Sequence, residues 1–222
     1  MITLDPEAAR SLLDTMAIAL MGITLFSVST HRLDHAIYLL AAQGTVLTGA
    51  AAVVALASGG SHGVAAVALT LGVKALAIPG VLLFALRQIR VRREIEVTVP
   101  FLLALPLAIG LVLVAYQVVG PLGAIDEYGT RNALPASVAM LLVGLFTMLI
   151  RKKALSQVCG LVTIENGIYL AALTATRGLP FAVELGVALD LLVGVAVMGL
   201  VSRQIHRAFD STNTDHLRTL RG

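Results

Sequence analysis

The sequence predicts an all-α, polytopic membrane protein of about seven transmembrane helices, and three observations predict it. Of its 222 residues, 58% are hydrophobic and only 13% are charged, against roughly 25% charged in a typical soluble domain. The mean hydropathy is +0.91. The apolar residues run on in stretches of about 20, the length a helix needs to cross a bilayer, and do not alternate as barrel strands do.

Taken in order, the expected spans are Leu13–Ser29, Ala36–Ala57, Gly63–Leu86, Val97–Val119, Ala133–Ile150, Ala154–Thr174 and Phe181–Val201. The residues ahead of the first span carry Asp5, Glu7 and Arg10 and lack a basic leader with a cleavage site. That stretch does not read as a signal peptide, so the first span is expected to stay as a helix. Gly59-Gly60-Ser61 reads as a tight turn between the second and third spans. Pro100, Pro135 and Pro180 fall at helix starts, where a missing N–H costs little. Pro79 and Pro106 fall inside spans and predict kinks. A natural division separates four helices in residues 1–131 from three helices and a tail in residues 132–222.

Seven spans place the termini on opposite sides. One side then carries twelve basic residues: Arg32, the "RQIRVRR" run, the "RKK" of Arg151–Lys153, and Arg203, Arg207, Arg218 and Arg221. The other side carries three, Arg10, Arg131 and Arg177. The positive-inside rule makes the twelve-charge side cytoplasmic and the N-terminus external. The pI near 9.4 therefore reports topology in a lipid bilayer and implies no nucleic-acid partner.

Four charged residues fall within the oily stretches: Lys74 in the third, Glu165 in the sixth ("GLVTIENGIYL"), and Glu184 and Asp190 in the seventh. Each costs about 2.5–3.5 kcal/mol at a helix centre on insertion scales. Two readings meet that cost. Lys74 can pair with an acid as a structural tie between helices, or the acids can form a proton or ion path, the usual reason for such groups at that depth. Burial favours the neutral form of a carboxyl, so an acid there can exchange a proton. Asn166 adds an amide beside Glu165, and Tyr169, one turn on, is placed to hydrogen-bond that acid or to sit as an interfacial aromatic. Gly160 and Gly167 share a face about 140° from Glu165, smooth enough for close helix packing. Asp14 reads as interfacial.

Other chemistry has little support. A single cysteine, Cys159, leaves no internal disulfide and no cysteine-ligated cluster. All five histidines fall in loops or the tail, so no bis-histidine haem site is expected inside the membrane. His31, Asp34 and His35 read as a solvated loop more readily than as metal ligands. No phosphate-binding loop or nucleophile triad is present.

From Ala133 onward the sequence resembles the K subunit of bacterial complex I, a three-helix subunit of its proton path. The basic "RKK" loop, Gly160, Leu161 and Asn166 of "GLVTIEN", Asp190 of "DLLVGVAV" and the "LRTLRG" tail carry the likeness. Val162 stands where that family has a glutamate, and Glu165 lies one turn later on nearly the same face. With its preceding helices, the whole length resembles the hydrogenase-4 component E family, membrane subunits of formate-hydrogenlyase-type nickel–iron hydrogenase complexes. The "IENGIYL" and "ELGVALDLLVGV" segments carry that match.

The resemblance implies a subunit of the bacterial or archaeal cytoplasmic membrane without a catalytic site of its own. It implies antiporter-like membrane neighbours and a soluble hydrogenase arm that holds the nickel–iron centre and iron–sulfur clusters, with no cofactor in this chain. It also implies a lateral proton path through Glu165, Asp190, Lys74 and Glu184, with Asn166 and Tyr169 in support. A subunit of a multi-subunit cation/proton antiporter, or a structural membrane anchor, remains the alternative.

Overall fold

The structure, a computed structural model, describes residues 5–58, 63–89, 99–121 and 130–175, together with Gly186, Asp190, Gly194, Val197 and Gly199. The described chain is helical: α1 (Pro6–Val28), α2 (Leu33–Ser58), α3 (Gly63–Thr70), a π-helical segment (Leu71–Ala77), α4 (Ile78–Ile89), α5 (Phe101–Val119), α6 (Ala133–Ile150) and α7 (Ala154–Ala175). α3, the π segment and α4 run on as one rod. Six rods among the described residues are long and apolar enough to cross a membrane. At about 1.5 Å per residue, a 22-residue helix such as α7 matches a hydrocarbon layer about 30 Å thick. The five described residues beyond α7 are helical. The rest of the expected seventh span, Glu184 and the Gly59-Gly60-Ser61 turn lie outside the described residues.

Helix ends depart from the expected spans where local chemistry outweighs hydropathy. α1 begins at Pro6, seven residues before the apolar run, with Pro at its first position and Glu7 in its first turn. A fixed proline φ suits that position, and an acid there meets the positive end of the helix dipole. Ala9 and Leu13 then extend the buried stripe that continues through Ala17, Leu20, Thr24 and Val28, three or four residues apart. α5 starts only after Pro100, four residues later than expected, because the residue before a proline avoids the helical region. α6 spans Ala133–Ile150 as expected.

Four helices make the centre. α6 and α7 pack most intimately, α1 lies on α2 and α6, and α2 also meets α7. α5 flanks α6 and α1, while the α3–π–α4 rod flanks α2. The expected glycine face holds: a Cβ on Gly160 would lie 2.8 Å from the Gly144 carbonyl oxygen, and one on Gly167 would lie 2.7 Å from that of Ser137. Only hydrogen at these positions lets α6 and α7 approach so closely.

Where the sequence led to the expectation of a kink at Pro79, the structure has a π-helical segment just ahead of it. Pro79 cannot donate an N–H, and the turns ahead of it widen into the π segment, where the Ile78 N–H reaches Val73 O five residues back. The widened turn presses on α2, where a Cβ on Gly44 would lie 2.8 Å from Ala75 N. α2 therefore needs glycine there.

The α1–α2 connection, the α6–α7 connection, the end of α4 and the start of α5 share one end of the bundle, through the cores around Leu33, Leu86 and Leu155 and around Val28, Ala104 and Ile150. Arg32, Arg87 and Arg151–Lys153 thus gather at that end. Arg151 is not a solvated loop charge. It is buried, and its Nη2 donates to Val28 O at 3.0 Å and Thr30 O at 2.8 Å, satisfying carbonyls at the end of α1. At the opposite end Asp14 does more than sit at an interface. Its carboxylate accepts from the N–H groups of Arg131 and Asn132 at 3.0 and 2.8 Å and so ties α1 to the residues just ahead of α6.

Gly44→Val is expected to destabilise the purified chain by about 1–3 kcal/mol, the usual cost of overpacking. Gly22→Ala meets nothing within 4 Å and is expected to be neutral or slightly stabilising. Thermal unfolding in detergent compares the two, and equal stability of both variants would contradict the contact between α2 and the π segment.

Candidate functional site

Two apolar cores leave a polar layer between them. One core holds Leu13, Leu47, Ala66, Met140, Tyr169 and Leu173. The other holds Ile37, Leu40, Ile78, Leu82, Val158 and Val162. Between them each helix contributes a polar residue: Gln43 between Leu40 and Leu47, Lys74 between Ala66 and Ile78, and Glu165 and Asn166 between Val162 and Tyr169. Lys74 and Glu165 each fall close to the middle of their rods.

Lys74 is the centre of this layer. Its ammonium forms ion pairs with Glu165 on α7 and with Asp190 beyond α7, the latter at 3.1 Å. The three residues are 4%, 2% and 8% exposed in the order Lys74, Glu165, Asp190. Residues 91 and 116 positions apart in sequence thus share one charge site. The ammonium also lies 5.1 Å from the centre of the Tyr169 ring, within cation–π range. A Cβ on Gly186 would come within 2.9 Å of that ring, so glycine at this position lets the backbone approach the tyrosine.

Tyr169 does not bond Glu165. Its hydroxyl pairs with Thr70 Oγ1 at 2.8 Å, because the ring fills the core between α7 and the lysine-bearing rod, and Lys74 takes the acid instead. Asn166 turns the other way. Its Nδ2 donates to Gln43 Oε1 at 3.0 Å, and Gln43 Nε2 donates to Thr24 Oγ1 at 3.0 Å. Glu165 Oε2 and Asn166 Oδ1 are buried without a hydrogen-bond partner among the described residues.

Of the expected path residues, then, Lys74, Glu165 and Asp190 come together, and Glu184 lies outside the described residues. Thr70, Gln43 and Thr24 were missed by sequence reasoning. A lone amide or hydroxyl in an apolar helix is too common to stand out, although Gln43 is the only Gln, Asn or charged residue between His35 and Ser58. Near the basic end Asp34 is engaged by Arg32 in a two-point ion pair, at 2.6 and 3.1 Å.

A bundle of membrane-length helices around a three-membered ion cluster defines a polytopic membrane protein with a buried charged centre. The sequence relatives narrow that class. Hydrogenase-4 component E of Escherichia coli is 32% identical over 151 residues, 67% of this chain and 69% of its own. The same protein of Shigella flexneri matches equally. An uncharacterized protein of Mycobacterium tuberculosis is 36% identical over 152 residues, 68% of this chain and 69% of its own. The chain belongs to the hydrogenase-4 component E family. No protein-family model matches it, and no solved structure does.

Removing one partner of a buried ion cluster strands the others, at about 3–5 kcal/mol. Lys74→Met leaves two acids facing each other without a cation and is expected to be the most destabilising single change at the site. Glu165→Gln leaves a neutral Lys74–Asp190 pair and is expected to cost less. Thermal stability in detergent gives the order, and the reverse order would contradict the shared-lysine geometry.

Proposed function

We propose that this chain is a non-catalytic membrane subunit of a hydrogenase-type complex related to complex I, in which Glu165, Lys74 and Asp190 carry protons laterally within the bilayer. The observation behind this reading is one ammonium shared by two carboxylates in an apolar interior. With both acids ionised, the cluster carries one net negative charge, and one added proton makes it neutral. Its charge state can therefore change by a single proton while the ammonium keeps a partner throughout. A proton taken up on Asp190 neutralises that acid, and Lys74 then pairs with Glu165 alone. Release of the proton restores the shared arrangement. Buried ionisable groups at membrane depth generally serve such transfer.

The family supports the choice of complex, since the E. coli and Shigella relatives are named as hydrogenase-4 components. In this reading the nickel–iron centre and iron–sulfur clusters belong to partner subunits, and antiporter-like subunits adjoin this one in the membrane. The likeness of residues 132–222 to the complex I K subunit favours a lateral direction of transfer. Residues 1–131 then form a four-helix addition that supplies Lys74. Phe181–Val201 is the seventh span, and Glu184, six residues before Asp190, extends the path toward the external end. The gathering of Arg32, Arg87 and Arg151–Lys153 at one end favours that end as cytoplasmic, with the N-terminus outside.

A second reading has an observation of its own: Lys74 ties its rod to α7 and to the segment beyond, as a structural clamp would. Neutral variants separate the two, because Gln and Asn keep the volume and most hydrogen bonding but cannot exchange protons. Glu165→Gln and Asp190→Asn are expected to assemble and to keep electron transfer from an artificial donor. Proton translocation in inside-out vesicles is expected to fall about a hundredfold or more, a loss of the size seen when an acid–base group is removed. The double variant is expected to lose less than the product of the two single effects. Full translocation in the assembled Glu165→Gln complex would refute the proton path, and loss of assembly in both neutral variants would establish the clamp.

A further inference from the structure

The chain Thr24–Gln43–Asn166 has a polarity that can be worked out link by link. A backbone carbonyl can only accept, so the Thr24 hydroxyl, 2.8 Å from Leu20 O, commits its one proton there. Thr24 Oγ1 must then accept from its other neighbour, which makes Gln43 the donor through Nε2. With its amino group turned to Thr24, Gln43 presents its carbonyl Oε1 to α7, and Asn166 must donate through Nδ2. The last consequence falls on Asn166 Oδ1, which is left as a buried acceptor with no partner among the described residues. The neighbouring residue, Glu165, holds a second such acceptor in Oε2. Gln43 and Asn166 are 0% and 2% exposed, so bulk water does not select these orientations. A backbone carbonyl on α1 does.

We propose that Gln43, held by Thr24, is a positioning residue of the proton-transfer site: it locks Asn166 with its buried carbonyl left open, as an acceptor for the protonated water that exchanges a proton with Glu165. The inference rests on the proton-path reading and names the group that orients its acceptor. A free asparagine presents NH2 and C=O with nearly equal ease. An NH2 group turned toward a hydronium-like donor would repel it, whereas the carbonyl stabilises it. The arm is neutral throughout, so it can fix that dipole without adding a charge to the cluster. It ends on α1 at Thr24, one turn before Val28, whose carbonyl Arg151 holds. The orientation at the centre is thus linked through α1 to the basic end of the bundle.

The test uses the assembled complex in inside-out vesicles and compares Gln43→Leu, Thr24→Val and Asn166→Leu. Proton translocation per electron transferred, its pH profile and its H2O/D2O rate ratio are the readouts. Gln43→Leu is expected to slow translocation about tenfold, the size of one hydrogen bond to a charged group, to shift the pH profile and to raise the isotope ratio. Thr24→Val keeps the shape of the side chain and is expected to move all three in the same direction by less. Gln43→Leu combined with Asn166→Leu is expected to be no worse than Asn166→Leu alone. If Glu165→Gln impairs translocation while assembled Gln43→Leu and Thr24→Val match the wild type in all three readouts, the positioning role is wrong and the path stands. If Gln43→Leu fails to assemble, Thr24→Val decides alone, and an unchanged pH profile and isotope ratio there overturn the proposal.

Discussion

A lysine ammonium placed at mid-membrane among apolar side chains is costly unless it is paired, and here it is paired twice, with Glu165 and with Asp190. Much of the architecture serves that arrangement. Attraction between opposite charges is strong where water is scarce, so the cluster draws together three stretches of chain distant in sequence. The helices must then come close enough for side chains of ordinary length to meet. Gly44 lets the π segment approach α2, and Gly186 lets the backbone there approach Tyr169. Gly160 and Gly167 seat α7 against α6, which fixes the height and rotation of Glu165.

The polar layer is bounded above and below by apolar cores, and this division has an electrostatic consequence. Charges held between apolar layers interact more strongly than they would in water. The neutral groups around the cluster also fall into two sets. Thr70 and Tyr169 pair with each other beside the lysine. Thr24, Gln43 and Asn166 form a directed chain away from it. The first set fills and closes the site, and the second carries orientation across two helices.

Much of the fold was legible in the sequence because hydropathy and helix length are local properties. The six described rods sit where continuous apolar runs placed them, and α6 has the expected bounds. Lys74, Glu165 and Asp190 stood out because a charge in an apolar run is rare. The remaining features depend on residues far apart. Asp14 holds the residues just ahead of α6 from more than a hundred residues away, and Arg151 caps α1 across a similar distance. Neither pairing has a local signature, so each residue read as an ordinary charge near a helix end. Tyr169 was misassigned for a related reason. Helical spacing places it within reach of Glu165, but only the packed structure shows that Lys74 occupies that acid and that Thr70 stands opposite the phenol. Pro79 announced a distortion but could not say that it would be a π segment carrying the lysine.

One lysine of this chain is shared by two of the chain's own acids. An electron cryo-microscopy structure of the complete complex, at a resolution that places side chains, tests this sharing most directly. Lys74 Nζ is expected within hydrogen-bonding reach of both Glu165 and Asp190, with Asn166 still joined to Gln43. Lys74 turned toward an acid of a neighbouring subunit, or either carboxylate facing the acyl chains, would contradict it.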